Sequence, residues 1–226
     1  MHEIIKRAKE EKRNLLEHES LQLLKEYDIP VPKYALAKDV EEALAAAREI
    51  GYPVVLKIVS KDILHKSDIG GVKVGLNSDE DLIKAYGEIM DNVNANANAA
   101  EVEGMLVVKN ADKGLECIVG MVKDNQLGPA LMFGLGGIFV ELLKDVSFEL
   151  LPISEDEALE MIKSIKGYKL IEGYRGESPK DTKSIINLIT KVGRLVEENK
   201  EINEIDINPF FAYEEGLMVI DTRIII

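Results

Sequence analysis

The chain of 226 residues carries a formal net charge of −13, and 46% of its residues are hydrophobic. These values allow a sizeable buried core and argue against the polyanionic backbone of a nucleic acid as a partner. No apolar run reaches the roughly 20 residues that a membrane-spanning helix needs, and the charged first residues lack the apolar region of a signal peptide. Because Cys117 is the single cysteine, an internal disulfide is excluded, and we expect a cytoplasmic protein.

The first half of the chain predicts helices that alternate with strands. Apolar residues at helical spacing predict three helices, of which the second and third follow Asp39 and Ser78, residues typical of helix N-caps. The low-complexity run Asn94–Ala100 is expected to be a surface loop. In chain order, we predict a helix over Met1–Glu26, an extended segment over Lys33–Ala37, a helix over Val40–Ile50, strands over Val54–Val59 and Val72–Leu76, a helix from Ser78 to about Asn92, and a strand over Met105–Lys109.

The second half repeats this alternation and ends in a hairpin. A glycine-rich passage, Gly134–Gly137, leads into Ile138–Leu143, and Gly167–Pro179 is expected to be a polar loop. The alternation predicts an α/β (mixed α+β) fold with a mixed sheet in each of two lobes. The predicted elements are strands over Leu115–Lys123 and Pro129–Phe133, helices over Glu155–Ile165 after Ser154 and over Thr182–Asn199, and strands over Ile202–Tyr213 and Leu217–Ile226 around a turn at Glu214–Gly216.

The segment Val54–Leu76 contains the first candidate site. Lys57 is the one charged residue on its apolar strand, and a buried lysine needs an anionic partner. The polar loop that follows carries His65 and ends in Gly70 and Gly71, which allow backbone N–H groups to approach phosphate oxygens. The pattern predicts a phosphate site with His65 as a phosphoryl carrier. Alternatively, His65 is an ordinary exposed loop residue, and Lys57 reaches solvent from the strand end.

The terminal hairpin contains the second candidate site. A turn centred on Glu215 would pair Asn208 with Thr222, and an irregularity at Pro209 would bring Asp221 beside Asn208. Oxygen ligands from two adjacent strands suit Mg²⁺, which usually takes one or two protein oxygens together with waters and substrate phosphates. Alternatively, the acidic side chains only solvate the strand ends.

Three further candidates are less distinctive taken singly. Asp206 lies two residues before Asn208 and therefore shares a face with it on the predicted strand. Lys109 and Glu116 lie on strands that flank a turn or hinge. Alternatively, each is only a charged residue of an edge strand that faces water. Neither Ile69–Val72 nor Gly134–Gly137 matches the P-loop or the dinucleotide-binding glycine pattern.

Four motifs together resemble one family. SKDILHKSDIGGVKVGL, FGLGGIFVELLKDVSF, GYRG and EIDINPFFAYEEGLMVIDTRIII occur in that order. They resemble the ATP-grasp β subunit of ADP-forming acetyl-CoA synthetases, in the NDP-forming acyl-CoA synthetase family, and the closest likeness is to the separate β subunits of archaea. The resemblance extends from about Leu21 to the last residue.

The resemblance implies an ATP-grasp fold of two lobes that hold ATP between them. Residues 1–109 would form the N-terminal lobe, with the leading helix and the histidine loop, and residues 110–226 the C-terminal lobe, with the metal-binding hairpin. It also implies the reversible reaction acetyl-CoA + ADP + phosphate ⇌ acetate + CoA + ATP. The implied partner is a CoA-binding α subunit, in an assembly of two α and two β chains.

The resemblance also implies roles for individual residues. His65 would carry the phosphoryl group, Asp206 would steady the phosphohistidine, and Lys57 would bind nucleotide phosphates. The implied Mg²⁺ ligands are Asn208 and Asp221. The remaining residues of the implied nucleotide site are Gly70, Gly71, Val108, Lys109, Asn110 and Glu116. Neither the residues nor the resemblance assigns a role to Arg175 or to Asn94–Ala100.

Other functions fit parts of the pattern. One alternative is a non-catalytic, nucleotide-sensing ATP-grasp module of a regulatory acyltransferase, although no acyltransferase domain is recognisable on this chain. Another is a ligase subunit like that of succinyl-CoA synthetase, and a third is a scaffold whose glycine loops only dock a partner. The acyl substrate and the choice between ADP and GDP stay open, because the acyl pocket would lie on the other subunit.

Overall fold

The computed structural model describes residues 2–63, 65–97, 99–124, 126–137 and 144–226. The chain divides into two compact units. The small unit is Pro32–Asp112, and the large unit combines Met1–Val31 with Lys113–Ile226. We expected the leading helical segment to belong to the N-terminal lobe. In the structure, Met1–Val31 instead groups with the C-terminal part of the chain. The predicted passage into Ile138–Leu143 lies outside the described residues.

The described residues form helices and strands in the following order. The elements are α1 (Glu3–Glu10), α2 (Glu17–Glu26), β1 (Tyr34–Ala37), α3 (Val40–Ile50), β2 (Val54–Ser60), β3 (Val72–Leu76), α4 (Asp79–Asn96), β4 (Val102–Lys109), β5 (Leu115–Asp124), β6 (Gly128–Leu135), β7 (Val146–Leu150), α5 (Glu155–Ser164), α6 (Tyr168–Ile171), α7 (Thr182–Glu198), β8 (Glu204–Ala212), β9 (Leu217–Val219) and β10 (Thr222–Ile225).

The small unit is a four-stranded sheet in the order β1-β4-β2-β3, with α3 and α4 on one face. Leu56 and Ile58 of β2 point to this face and are fully buried against the two helices. Because side chains alternate along a strand, Val55, Lys57 and Val59 occupy the other face. Among the described residues of this unit, the helices therefore cover one face of the sheet, and the face that carries Lys57 has no helix on it.

The large unit is built on a six-stranded sheet in the order β10-β8-β5-β6-β7, with β9 also paired to β8. Helices α5 and α7 pack against each other and against β6 and β7. Ile205 and Ile207 of β8 are buried, whereas Asp206 between them is half-buried and Asn208 is exposed. The sheet thus presents an apolar face to the core and a polar face that carries Asp206 and Asn208.

Every pair among the described strands is antiparallel. The expectation of mixed sheets is therefore wrong, although the combination of helices and sheets is as predicted. The alternation of helices and strands misled the prediction, because a helix between two strands favours a parallel pair only when both strands are neighbours in one sheet. Here β1 and β2 are each paired to β4 instead of to each other.

The predicted helix over Met1–Glu26 is wrong, because the chain breaks between α1 and α2. Lys12 has a left-handed backbone with a φ of 54°, and the Leu15 N–H donates to the carbonyl oxygen of Ile224 on β10 at 3.3 Å. The buried Glu19 carboxylate accepts from the Leu16 N–H at 2.9 Å. Long-range and capping contacts thus outweigh continuous helix formation.

The helix starts predicted after Asp39, Ser78 and Ser154 are confirmed. In each case the side-chain oxygen of the N-cap residue accepts an N–H of the first helical turn. The distances are 2.8 Å from the Glu42 nitrogen to Asp39 Oδ1, 3.1 Å from the Asp81 nitrogen to Ser78 Oγ and 3.3 Å from the Glu157 nitrogen to Ser154 Oγ.

Two predicted loops are partly helical. Helix α4 continues through Asn96 into the predicted loop Asn94–Ala100, because the buried Val93 keeps its last turn packed on the core. The short helix α6 interrupts the predicted loop Gly167–Pro179. Among the described residues, no helix combines the length and the apolar character needed to cross a membrane.

Candidate active site

The predicted site residues belong to both units, and each group is described within its own unit. In the small unit, Lys57 is buried with 6% of its surface exposed. It lies opposite Leu106 on β4 and opposite Val72 on β3. This position excludes the alternative that the side chain extends from a strand end into solvent. A cation so far from water is stabilised by nearby negative charge.

Val108 and Asn110 lie on or directly after β4, the strand that is paired with the strand of Lys57. Val108 is opposite Val55, so it shares the face of Lys57 one diagonal step along the sheet. Asn110 follows β4 directly, and its N–H donates to the carbonyl oxygen of Pro53 at 3.1 Å. The structure thus places Val108 on the face of Lys57 as its diagonal neighbour, and Asn110 at the end of the same pair of strands.

Lys109 points the other way. Its Nζ donates to the carbonyl oxygens of Gly51 at 2.8 Å and Tyr52 at 2.9 Å. Gly51 is the C-cap of α3, so the ammonium group satisfies the carbonyl end of a helix, where cations are favoured. The structure does not bring the Lys109 side chain onto the face of Lys57, and its nucleotide role stays a prediction.

His65 lies on the loop between β2 and β3 and is exposed. The base of this loop is closed by Gly71, whose N–H donates to the Lys66 carbonyl oxygen at 2.7 Å and whose own carbonyl oxygen accepts from the Ile58 N–H at 2.8 Å. Since Ile58 follows Lys57, the loop ends beside the buried lysine. An exposed imidazole on such a loop is accessible to an incoming phosphoryl donor.

The two glycines of the loop are required by its closure. Gly70 has a φ of +67°, and a Cβ atom on Gly71 would lie 2.6 Å from Ile58 Cγ2 and 2.9 Å from the Lys66 carbonyl oxygen. The Gly70 N–H donates to the carbonyl oxygen of Ser67 at 3.0 Å. Both glycine N–H groups therefore donate to carbonyl oxygens within the loop in this structure. The phosphate-binding role of Gly70 and Gly71 stays a prediction.

In the large unit, the register of the terminal hairpin differs by one residue from the prediction. Thr222 lies opposite Ile207, and not opposite Asn208. The Tyr213 N–H donates to the carbonyl oxygen of Gly216 at 3.1 Å, so the turn closes one residue earlier than a turn centred on Glu215 would. The turn geometry thus shifts the whole pairing by one position.

This register brings Asn208 and Asp221 together. The Asn208 N–H donates to the Asp221 carbonyl oxygen at 3.2 Å. An irregularity at Pro209 is present, because its carbonyl oxygen accepts from the Ile220 N–H at 3.0 Å and from the Asp221 N–H at 3.2 Å. The two predicted metal ligands are therefore neighbours: Asn208 lies on β8, and Asp221 lies in the short link between β9 and β10.

The donor set fits Mg²⁺. Asn208 is exposed, Asp221 is half-buried, and the Thr222 N–H donates to Asp221 Oδ1 at 3.0 Å, which orients the carboxylate. Within the described ranges, no group of three or more His, Cys, Asp or Glu side chains could hold a metal. A carboxylate and an amide oxygen completed by phosphate oxygens and waters are the ligands that Mg²⁺ favours over an all-protein cage.

Asp206 lies two residues from Asn208 on β8, opposite Arg223 on β10 and opposite Gly120 on β5. Arg223 Nη2 is 3.9 Å from Asp206 Oδ2 and 2.7 Å from Glu204 Oε1. Burial raises the pKa of Asp206, the charge of Arg223 opposes this effect, and the charge of Glu204 adds to it. Asp206 is thus a half-buried carboxylate beside one cation.

Glu116 is exposed at the start of β5, next to the second glycine-rich passage. The Gly136 N–H donates to the Glu116 carbonyl oxygen at 2.8 Å, and a Cβ atom on Gly137 would lie 3.1 Å from Glu116 Oε2. These glycines therefore allow the backbone to pass close to Glu116.

Sequence reasoning missed Glu204 and Arg223. Glu204, Asp206 and Asn208 recur at every second position, so a shared face could have been read from the sequence. Whether Arg223 lies beside Asp206 depends on the register of the hairpin. Because the predicted register is wrong by one residue, it pairs Arg223 with a different residue of β8.

Comparisons with known proteins agree with this geometry. A family model described as ATP-grasp domain matches residues 6–226. The β subunit of acetate–CoA ligase (ADP-forming) I from Pyrococcus furiosus is 50% identical over 224 residues, which cover 99% of this chain and 97% of that subunit. The chain belongs to the ATP-grasp family. The family resemblance of the four sequence motifs and the ATP-grasp fold expected from it are confirmed.

Two solved structures of acetyl-coenzyme A synthetase 1 from Ca. Korarchaeum cryptofilum share the ATP-grasp fold of this chain. One contains coenzyme A and Mg-AMPPCP, with its phosphohistidine segment pointing towards the nucleotide-binding site; it is 47% identical, with a TM-score of 0.87 and coverage of 99% of this chain and 98% of that one. The other contains coenzyme A and acetyl-coenzyme A, with a phosphorylated phosphohistidine segment in the site I orientation; it is 49% identical, with a TM-score of 0.91 and coverage of 98% and 97%.

Proposed function

We propose that this protein is the ATP-grasp β subunit of an ADP-forming acetyl-CoA synthetase and that His65 carries the phosphoryl group to ADP. The observation that carries the proposal is an exposed histidine on a loop whose base is closed beside the buried Lys57. The overall reaction is acetyl-CoA + ADP + phosphate ⇌ acetate + CoA + ATP. The 50% identity to a β subunit named for acetate–CoA ligase activity supports this assignment.

The relay consists of two in-line transfers. A ring nitrogen of His65 attacks the phosphorus of a phosphoryl donor on the partner subunit, the new P–N bond forms, and the donor bond breaks. A terminal oxygen of ADP then attacks the same phosphorus, and the P–N bond breaks to restore the neutral imidazole and form ATP. A covalent intermediate divides one long transfer into two short ones. The two orientations of the phosphohistidine segment in the Korarchaeum structures support such a relay.

Asp206 is the carboxylate that we assign to the phosphohistidine. When one ring nitrogen carries the phosphoryl group, the other carries a proton, and a carboxylate that accepts this N–H fixes the tautomer and the ring orientation. Asp206 is suited to this role because it is half-buried and is the middle member of the polar row Glu204, Asp206 and Asn208.

Asn208, Asp221 and Lys57 serve the nucleotide phosphates. Asn208 and Asp221 would hold Mg²⁺, which when bound neutralises charge that develops on phosphate oxygens. The buried ammonium group of Lys57 provides a fixed positive charge for the same class of ligand. Val108, Asn110 and Glu116 complete the nucleotide site that we propose, with Lys109, Gly70 and Gly71 as further predicted members.

The partner is an α subunit. The relative from Pyrococcus furiosus is named as a β subunit, which supports a second kind of chain in the functional enzyme. We further propose that this partner binds CoA and the acyl group, that the assembly contains two α and two β chains, and that it works in the cytoplasm. Co-purification with a CoA-binding chain, followed by mass measurement of the intact complex, tests the partner and the stoichiometry together.

The decisive experiment is phosphorylation of the isolated chain by Mg·ATP. Intact-protein and peptide mass spectrometry at neutral or alkaline pH should show one acid-labile phosphoryl group on the peptide that contains His65. The His65→Ala variant should stay unmodified, and the His18→Ala variant, with its histidine on α2, should be modified like the wild type. Binding of Mg·ATP without modification of His65 would overturn the relay and favour a nucleotide-sensing module.

A further inference from the structure

Arg223 of β10 faces two carboxylates on β8. It lies directly opposite Asp206, with Glu204 two residues further along the same face of β8. The side chains of Arg223, Glu204 and Asp206 are 38%, 35% and 36% exposed, so the three charges meet at the boundary between solvent and the sheet. One cation thus stands between two anions.

The guanidinium group is held by Glu204. Arg223 Nη2 is 2.7 Å from Glu204 Oε1, a charge-assisted hydrogen bond, and 3.9 Å from Asp206 Oδ2. Glu204 therefore fixes where the positive charge is, and Asp206 experiences it at ion-pair distance. Because arginine stays protonated at every physiological pH, this charge is permanent.

Asp206 has no comparable partner elsewhere in the described part of the chain. The ion pair with Arg223 is the one polar contact of its carboxylate among those residues. Its other neighbour across the sheet is Gly120, which contributes no side chain. Arg223 is therefore the group in the described part of the chain that can orient the Asp206 carboxylate.

We propose that Arg223 is a positioning residue for phosphoryl transfer, which holds Asp206 in the orientation that accepts the N–H of the phosphohistidine, with Glu204 as the clamp of the guanidinium group. This inference rests on the proposed function, because it requires Asp206 to act on His65. Groups that orient an active residue from behind commonly change its activity by about 10- to 100-fold when they are removed.

The test is the single-turnover rate of His65 phosphorylation from saturating Mg·ATP. Arg223→Gln should lower this rate by about 10- to 100-fold, while the Kd of Mg·ATP and the melting temperature stay close to wild type. Arg223→Lys, which keeps the charge, should recover part of the rate, and Glu204→Gln should give an intermediate loss. Arg194→Gln is the matched control, since Arg194 is exposed on α7 and pairs with Glu198 of the same helix at 2.7 Å; its rate should be unchanged.

A double-mutant cycle shows whether Arg223 acts through Asp206. If it does, Asp206→Asn combined with Arg223→Gln should be no slower than Asp206→Asn alone. The inference would be overturned if the rate losses of the two single variants multiplied in the double variant. A wild-type rate in Arg223→Gln would also overturn it. So would equal losses of Mg·ATP affinity and of phosphorylation rate in both Arg223→Gln and Arg223→Lys. In those cases the wild-type protein still phosphorylates His65, so the proposed function survives. Absence of phosphorylation in the wild type would overturn both.

Discussion

The Asn208 N–H donates to the Asp221 carbonyl oxygen at 3.2 Å, so a direct hydrogen bond joins the main chains of the two proposed metal ligands, one on β8 and the other between β9 and β10. Ligands attached to a hydrogen-bonded sheet keep their spacing without an ion, because the backbone and not the metal sets it. The backbone at this pair is therefore already in place when Mg²⁺ and phosphate arrive.

Asp221→Asn should therefore weaken Mg²⁺-dependent nucleotide binding and leave the fold intact. The amide oxygen can still accept from the Thr222 N–H, but the ligand loses its charge, and we expect a loss of roughly 10-fold or more in the affinity for Mg·ADP. Calorimetric titration with ADP in Mg²⁺ and in EDTA measures this effect. Asp124→Asn, at the exposed last residue of β5, is the control; an equal loss in both variants would contradict a metal role for Asp221.

Glu19 should make the largest pH-dependent contribution to the stability of the large unit. Burial alone would raise the pKa of its carboxyl group, but hydrogen bonds from Arg13, the Leu16 N–H and Arg7 outweigh burial and lower the pKa to about 2. A lowered pKa stabilises the folded state above the ordinary value of 4.5, and this stabilisation is lost as the pH falls towards 2. At neutral pH it amounts to about 3 kcal/mol at most.

Denaturant unfolding of Glu19→Gln at pH 7 and pH 3 measures this contribution. The variant should be less stable than wild type by up to about 3 kcal/mol at pH 7, and the difference should shrink at pH 3. Glu11→Gln is the matched control, because Glu11 also pairs with Arg13, at 2.6 Å, but is half exposed; its cost should stay below about 1 kcal/mol. A difference for Glu19→Gln that does not change with pH would contradict this account.

Gly71→Ala should open the base of the histidine loop. The added methyl group would meet Ile58 Cγ2 and the Lys66 carbonyl oxygen, and the latter is backbone that cannot rotate away. We expect a destabilisation of about 1–3 kcal/mol and a rate of His65 phosphorylation lower by roughly 10-fold or more, because the loop carries the reacting ring.

Gly75→Ala separates this effect from general strain. Gly75 has a φ of +68°, but a Cβ atom there would meet nothing within 4 Å. The substitution should lower the melting temperature slightly, since alanine disfavours this backbone region, and should leave the phosphorylation rate unchanged. Equal phosphorylation rates in the two variants would show that closure at Gly71 has no part in presenting His65.

Cys117 should resist thiol reagents in the folded protein. It is fully buried on β5, and burial raises the pKa of its thiol, with a further contribution from the charge of Glu116. The reactive thiolate is therefore scarce and inaccessible at neutral pH. Labelling with iodoacetamide, followed by mass spectrometry, should be negligible in native buffer and complete in denaturant, and rapid native labelling would contradict the buried position.

Local chemistry made part of this structure predictable. The helix starts at Asp39, Ser78 and Ser154 follow from side-chain oxygens that cap the next helical turn, a contact that spans three residues. The strand that carries Lys57 was predictable from its apolar neighbours, and the motifs around His65 and Asn208 were sufficient to indicate the family.

Long-range contacts decided the rest. The break between α1 and α2 depends on Glu19 and on the distant Ile224, which no helical periodicity contains. The position of Asp221 beside Asn208 depends on where the turn closes, because one residue of register changes every pair in a hairpin.

The sequence by itself determined which residues are able to cap, to bind phosphate or to carry it, since these capacities belong to the side chains and their immediate neighbours. Only the tertiary structure decided which of them meet. Lys109 caps α3 on one face of its sheet, while Lys57 lies buried on the other. The physical reason is that strand pairing and burial are settled by the free energy of the whole chain, to which distant segments contribute as much as near ones.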